Sequence, residues 1–141
     1  MHLTRNNLSI SCLIFCFLGF IDATYLTVLH YKNVFPPCTL SGCERVLTSS
    51  YSVFYGVPTS LLGSIFFAIA IVFSLAVLLD RREIFAHGLF VTSLVGLFVS
   101  AVLFFIQFMI IKSFCQYCLF SELMTLFLFI GASLLYSKFL K

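Results

Sequence analysis

The chain has 141 residues, of which 62% are hydrophobic and only 9% are charged. A soluble domain carries about 25% charged residues, so this chain has too few charged side chains to cover itself in water. Its net charge is a modest +3, and the basic residues are scattered along the sequence, which argues against nucleic acid as a partner. Lipid is therefore the expected solvent for most of the chain.

Four long apolar segments follow one another, at about residues 8–29, 57–79, 84–111 and 114–137. Each is close to or above the roughly 20 residues that span a bilayer, and a backbone in lipid must satisfy its own hydrogen bonds, so all four should be helices. The expected fold is an all-α membrane protein. It is a single four-transmembrane-helix bundle over residues 1–141, with an extracytoplasmic loop cap at about residues 30–56. The length of the first segment and the acid Asp22 within it favour a retained helix over a cleaved signal peptide.

The lysines and arginines that flank the segments predict the orientation of the bundle. One end carries five basic residues, namely Arg5, Arg81, Arg82, Lys138 and Lys141. The other end carries three, namely Lys32, Arg45 and Lys112. Short loops rich in Lys and Arg stay in the cytoplasm, and Arg81-Arg82 occupies a very short turn. We therefore predict a multi-pass protein of the cytoplasmic (inner) membrane, with both termini inside and the loop at 30–56 outside.

The predicted outer loop contains a first cysteine pair, in Cys38-Thr-Leu-Ser-Gly-Cys43. Pro36-Pro37 stiffens the chain before the pair, and Gly42 offers a turn. The segment that follows, residues 44–55, has too much apolar surface to extend freely into water. We expect a short helix or cap on the membrane face, with an ordinary amphipathic connector as the alternative.

A second pair, Cys115 and Cys118, forms a Cys-x-x-Cys motif where the last apolar segment begins. In the first turn of a helix, the macrodipole and the free N–H groups favour a thiolate at Cys115, and the nearby Lys112 adds positive charge. Zinc would need a second such pair or nearby histidines. A structural disulfide here would close a loop too small to remove much chain entropy. The motif predicts thiol redox chemistry, with zinc binding and a structural bridge as the alternatives.

Both pairs face the extracytoplasmic side in the predicted orientation, which in a bacterium is where disulfides form and persist. A pair in a loop and a pair at a helix start can pass a disulfide from one to the other, which indicates redox chemistry at the membrane surface. By contrast, Cys12 and Cys16 lie four residues apart on one face of the first helix, and we interpret them as packing residues.

Two acids, Asp22 and Glu122, fall within the predicted hydrocarbon region. Each lies seven or eight residues from the outer end of its helix, which is about 10–12 Å at 1.5 Å per residue. Acids inside a membrane are functional candidates, and a buried carboxyl could relay a proton. The alternative is a neutral carboxyl that hydrogen-bonds to a neighbouring helix.

Four stretches of the chain together resemble one known family. They are Gly19-Phe-Ile-Asp22-Ala-Thr-Tyr25-Leu-Thr-Val-Leu-His30, then Cys38…Gly42-Cys43-Glu-Arg-Val-Leu-Thr-Ser49-Ser, then Tyr55-Gly56-Val-Pro58…Gly63, and Phe114-Cys115-Gln-Tyr-Cys118. They resemble the vitamin K epoxide reductase family, and within it the bacterial, disulfide-forming branch without a fused thioredoxin domain. The resemblance extends over nearly the whole chain.

This resemblance implies a membrane thiol oxidoreductase that reduces a quinone, either menaquinone or ubiquinone. It implies that Cys115–Cys118 faces the quinone and that Cys38–Cys43 is the shuttle pair. Ser49 matches a serine that hydrogen-bonds near the quinone in the family.

Two further positions match the family's quinone pocket with a different residue. Thr59 stands where the animal enzymes carry Asn, and Glu122 stands where they carry a Tyr beside the vitamin K pocket. Together with Ser49 and Asp22, these are the candidate cofactor-binding residues.

The resemblance also implies a thiol partner, which we expect to be a separate DsbA-like protein with a thioredoxin fold. DsbB-type oxidases are also four-helix and quinone-linked, but their Cys-x-x-Cys lies in the first outer loop, whereas here it begins the last helix. Three alternatives stay open at this point. They are reduction of vitamin K quinone or epoxide, a non-catalytic four-helix membrane scaffold, and a metal-handling membrane protein.

Overall fold

The computed structural model describes residues 4–38, 43–50 and 53–140, and only the backbone of Cys43. Four long helices carry the fold: α1 (Arg5–Lys32), α3 (Thr59–Asp80), α4 (Glu83–Phe105, continued by the π-helical segment Ile106–Ile111) and α5 (Gln116–Leu140). All four are long and apolar enough to cross a membrane. Between α1 and α3 lie the short helix α2 (Cys43–Leu47) and a hairpin of β1 (Val53–Phe54) and β2 (Val57–Pro58). The predicted all-α membrane bundle is confirmed.

The ends of the helices follow from local chemistry. Thr4 caps α1, because its hydroxyl accepts the N–H of Asn7 at 3.2 Å, and Asn33 ends the helix in a left-handed conformation. Arg81 ends α3 in the same way, so that only Arg81 and Arg82 separate α3 from α4. This tight turn is consistent with the short loop expected from the sequence.

The helices form a closed ring in which α1 packs on α3 and α5, and α4 packs on the same two neighbours. Connected helices run in opposite directions, so the N-terminus of α1 and the C-terminus of α5 lie at one end of the bundle. The core at this end is dense and consists of Leu8, Cys12, Cys16, Ala70, Val77, Ala86, Leu89, Leu128, Ala132 and Leu135. Cys12 and Cys16 are packing residues, as predicted.

Two phenylalanines close the middle of the bundle. The rings of Phe66 and Phe67 lie 5.0 Å apart, and Phe67 is only 2% exposed. Glycines on the facing helices make room for them: a Cβ added at Gly19 would stand 2.3 Å from the Phe67 ring, and one at Gly96 would stand 2.3 Å from the Phe66 ring. Above this pair of rings the bundle is hollow.

Small polar side chains hold α1 against α3. Thr24 and Ser64 hydrogen-bond at 3.2 Å, and Thr27 donates to Ser60 at 3.1 Å. Small residues and interhelical hydrogen bonds are the usual means of helix association in lipid, where burial of apolar groups gives little driving force. The contact between these helices is therefore close along the length that borders the hollow.

A cap covers the open end of the bundle, as the sequence predicted. It consists of α2 and the hairpin, whose turn at Tyr55 and Gly56 has positive φ at both positions, 51° and 80°. Tyr55 at the tip is 92% exposed. The observed helix bounds differ from the predicted ones by up to three residues. α1 is longer at both ends, Val57 and Pro58 form β2 rather than the start of α3, and α5 begins at Gln116 rather than Phe114. The third span has the predicted end, but its last six residues are π-helical.

Candidate redox site

Cys115 occupies the position just before α5, and not the first turn that the sequence suggested. Its carbonyl accepts the N–H of Leu119 at 2.9 Å, as the N-cap residue of a helix does. Its sulfur accepts the N–H groups of Tyr117 and Cys118, the donors that an N-cap side chain normally satisfies. The sulfur is therefore held at the helix N-terminus, where a thiolate is favoured.

Both sulfurs of the Cys-x-x-Cys are free thiols in this structure, so the motif is in its reduced state. A hydrogen bond from Cys118 to the Cys115 sulfur is the largest of the effects that lower the pKa of Cys115 from 9.0 to about 7. The backbone N–H groups add to this effect, while burial and the charge of Asp22 oppose it. The lowered pKa favours the thiolate of Cys115 near neutral pH.

The cap region brings Cys38 of the first pair towards the second pair. Val46 of α2 and Cys115 are both buried in one cluster, against which Cys38 and Cys118 pack. Cys38 is disulfide-bonded. The side chain of Cys43 lies outside the described residues, so its pairing with Cys38 stays a prediction.

Two hydrogen bonds connect the cap and its flanks to the Cys-x-x-Cys region. The hydroxyl of Tyr117, between the two cysteines of the motif, donates to the carbonyl of Pro37 at 2.6 Å. Arg45 of α2 donates to Ser113 at 3.5 Å. Arg45 is one of the three basic residues predicted for this end of the bundle.

A cavity of about 760 Å³ occupies the hollow half of the bundle under the cap. Apolar side chains of α1, α3, α4 and the cap make up most of its wall, with Phe66 and Phe67 towards the middle of the bundle. The residues that α5 contributes are Cys118, Ser121, Glu122 and Thr125. Cys118 lines this cavity, whereas Cys115 does not appear in its wall. Both cysteines of the motif therefore pack with the cap, and Cys118 is the one of the two that also borders the cavity.

Three of the four predicted cofactor-binding residues line the cavity. Ser49, just after α2, donates to the Val46 carbonyl at 2.8 Å, Thr59 is the first residue of α3, and Glu122 lies one turn after Cys118. Asp22 is not part of the wall. Its carboxyl accepts a hydrogen bond of 2.5 Å from Ser121, which does line the cavity.

Gln107 is a site residue that the sequence reasoning missed. It lies in the π-helical segment, is 3% exposed, and joins two of the predicted residues. Its side-chain oxygen accepts the N–H of Cys115 at 3.2 Å, and its amide donates to Glu122 at 2.8 Å. A glutamine in an otherwise apolar span is the sequence signal that could have found it. Its position in a π-helical turn agrees with the frequent occurrence of such turns at functional sites.

The described residues contain no group of three or more His, Cys, Asp and Glu side chains that could hold a metal ion. Within the same ranges, the buried Oε2 atom of Glu122 has no hydrogen-bond partner. A polar atom of this kind beside a cavity is a candidate for contact with a bound molecule.

A four-helix membrane bundle with two cysteine pairs at one end, one of them bordering an apolar cavity, defines a membrane thiol oxidoreductase. The model of the vitamin K epoxide reductase family matches residues 10–133, most of the chain, and the protein belongs to that family. Members of the family are oxidoreductases and are generally linked to quinones. No curated protein matches the chain.

Proposed function

We propose that this protein oxidises the dithiol of a separate, extracytoplasmic thioredoxin-fold protein and passes the electrons to a quinone of the membrane. The observation that carries the proposal is the position of the motif between the cap and the cavity: Cys115 and Cys118 pack with Cys38 under the cap, and Cys118 also lines the cavity. A thiol pair placed in this way can receive electrons on one side and release them on the other.

The residues of the cavity fit a quinone. Binding pockets for small molecules measure about 300–1,000 Å³ and are mainly apolar with a few polar groups, and this cavity has both properties. Ser49, Thr59 and Glu122 are the polar groups that would hold the ring of a menaquinone or ubiquinone. A bound quinone supplies an acceptor for two electrons and two protons next to Cys118.

The first transfer moves the electron pair from the loop to the motif. A reduced partner opens the Cys38–Cys43 disulfide and is itself oxidised. The Cys43 thiolate then attacks the sulfur of an oxidised Cys115–Cys118 pair at Cys115, because this sulfur lies on the side of the cap. A Cys43–Cys115 bond forms, and the Cys115–Cys118 bond breaks with release of a Cys118 thiolate on the cavity side.

The second transfer restores the loop. Cys38 attacks Cys43, and Cys115 leaves as a thiolate. The low pKa of Cys115 makes it a good leaving group in this step, since thiols of lower pKa leave faster in disulfide exchange. One disulfide has been broken and one formed, and both electrons now reside on the Cys115–Cys118 dithiol.

We further propose the cytoplasmic (inner) membrane as the location, with the cap outside. Arg81 donates to Asn6 at 2.9 Å, and Arg5 lies over the ring of Phe139 at 5.2 Å, so the basic residues of the chain ends and of the α3–α4 turn share one end. Basic residues favour the cytoplasm. A membrane-impermeant thiol reagent, applied to intact cells after mild reduction, should label Cys38 and Cys43, and labelling from the cytoplasm alone would reverse the orientation.

Quinone-dependent thiol oxidation by the purified protein in lipid tests the function. A reduced DsbA-like protein is added, and its oxidation is followed together with quinone reduction. Cys115→Ser and Cys118→Ser should abolish both, whereas Cys12→Ser, a buried cysteine of the other half, should keep them. Full turnover by the two motif variants would leave the structural scaffold as the better explanation.

A further inference from the structure

The hydrogen bonds of Gln107 have a direction that the structure determines. The backbone N–H of Cys115 can only donate, so the side-chain oxygen of Gln107 must face it. The amide nitrogen of Gln107 must then face Glu122, where it donates to Oε1 at 2.8 Å. Oε1 of Glu122 is therefore an acceptor, and the contact with Cys115 determines which end of the Gln107 amide faces Glu122.

The second carboxyl oxygen of Glu122 has different surroundings. Oε2 is buried without a hydrogen-bond partner among the described residues, and Glu122 lines the cavity. The titratable groups around it are the neighbouring Cys118 and Cys115, Asp22 behind Ser121, and His30 in the wall of the same cavity.

No described Lys or Arg lines this cavity, and Arg82 pairs with Asp80 at the opposite end of the bundle, 3.0 Å apart. A carboxylate with one hydrogen bond and no counter-charge is costly inside a membrane. Glu122 is therefore expected to be neutral. Since Oε1 accepts from Gln107, its proton resides on Oε2.

We propose that Glu122 is the proton donor of this site and that Gln107 is the positioning residue that keeps the proton on Oε2, the buried carboxyl oxygen without a hydrogen-bond partner among the described residues. The inference rests on the proposed function, in which a quinone is reduced beside Cys118. Closing the Cys115–Cys118 disulfide from the fully protonated dithiol releases two electrons and two protons, and reduction of a bound quinone would consume both. Glu122 would give one proton to a quinone oxygen and regain one from the thiols, and the second thiol proton would go to the other quinone oxygen, so that atoms and charge balance.

The first test is an infrared measurement on the reduced protein in lipid without quinone. A carbonyl band of a protonated carboxyl should be present at neutral pH and should be lost in Glu122→Gln. Gln107→Met removes the donor to Oε1 and should shift this band to higher frequency. Ser74→Ala, which removes a buried hydroxyl in the other half of the bundle, should leave it unchanged. Asp22→Asn identifies any band of the second acid.

The second test separates the two half-reactions in single turnovers. The reduced protein is mixed with quinone, and the oxidation of the Cys115–Cys118 thiols is followed. Glu122→Gln should slow this step by about 100-fold or more, as removal of a general acid does. Glu122→Asp should recover part of the rate. Gln107→Met should slow the step by about fivefold, the effect of one lost hydrogen bond.

The other half-reaction, reduction of the oxidised pair by a thioredoxin-fold dithiol without quinone, should change less than about twofold in Glu122→Gln. The inference is overturned if no carboxyl band depends on Glu122, if Gln107→Met does not move it, or if Glu122→Gln oxidises its thiols at the normal rate. A wild-type protein that never passes electrons to quinone would instead refute the proposed function, while the infrared bands would still decide where the proton of Glu122 resides.

Discussion

Tyr117 donates a hydrogen bond of 2.6 Å to the carbonyl of Pro37, and this bond joins the middle of the Cys-x-x-Cys motif to the residue before Cys38. The Tyr117 ring also lies 5.7 Å from that of Tyr25 on α1. Cys38 and Cys115 are 77 positions apart in the sequence. The hydrogen bond nevertheless holds the backbone next to Cys38 against the motif that contains Cys115.

Tyr117→Phe should therefore slow transfer between the pairs. The loss of one hydrogen bond costs about 1 kcal/mol, which corresponds to about a fivefold change in the equilibrium constant for docking of the cap. The rate at which a partner dithiol reduces Cys115–Cys118 should fall by this factor, while thiol oxidation by quinone stays the same. Tyr136→Phe is the matched control, because its hydroxyl contacts His87 at the other end of the bundle. Equal rates for both variants would contradict a role of this bond in docking.

Much of the fold follows from composition, because a chain with 9% charged residues and four long apolar segments can only satisfy its backbone as membrane helices. The cap was also predictable, since the apolar residues after Cys43 need a surface to pack on. The hollow half of the bundle could not be predicted from the sequence. It depends on Phe66 and Phe67 meeting Gly19 and Gly96 from other helices, and nothing in the sequence pairs these residues.

The sequence likewise predicted only some of the residues of the site. The cysteines and Glu122 stand out as residue types that are unusual in lipid, and the family resemblance adds Ser49 and Thr59. Gln107 reaches the site only because the π-helical segment turns its amide towards Cys115, and this turn has no clear signature in an apolar stretch. The position of Cys115 one residue before α5 was missed because helix bounds from sequence are uncertain by a residue or two.

Gly19→Ala should destabilise the bundle. The added Cβ would stand 2.3 Å from the ring of Phe67, so the ring or the helix would have to shift, and such overpacking costs about 1–3 kcal/mol. Gly63→Ala is the matched control, since its nearest neighbour would be the Cβ of Ala23 at an ordinary 3.6 Å. This variant should be neutral or stabilised by about 0.5–1 kcal/mol, the helix preference of Ala over Gly. Unfolding in mixed detergent measures both, and equal stability of the two variants would disprove the close Gly19–Phe67 contact.

The slope of the redox potential of the Cys115–Cys118 pair against pH should change near pH 7. Below the Cys115 pKa of about 7, closing the disulfide releases two protons, so the midpoint potential falls by about 59 mV per pH unit. Above it, the reduced pair already holds a thiolate and releases one proton, so the slope falls to about 30 mV. Because folding lowers the pKa of Cys115 from 9.0 to about 7, the Cys115 thiolate stabilises the folded, reduced protein. This contribution is complete above pH 9 and is lost as the pH falls through 7.

The measurement equilibrates a Cys38→Ser/Cys43→Ser double variant with glutathione buffers between about pH 5.5 and 8.5 and counts free thiols by alkylation and mass. The double variant isolates the pair from the loop cysteines. A constant slope of about 59 mV per unit across this range would show that Cys115 keeps its ordinary pKa and is not favoured as a leaving group.

The order of attack in the relay can be read from a trapped intermediate. Cys38 is the thiol that resolves the mixed disulfide, so Cys38→Ser should leave a Cys43–Cys115 bond that accumulates after one reaction with an oxidised Cys115–Cys118 pair. Non-reducing digestion and mass spectrometry identify the linked peptides. Cys12→Ser, which removes a buried cysteine far from the cap, should show no such link. A Cys43–Cys118 bond would mean that the cavity-facing sulfur receives the attack and that Cys115, with its lowered pKa, leaves first. If Cys38→Ser forms neither bond and keeps full turnover, electrons do not pass through the loop pair, and the proposed relay is wrong.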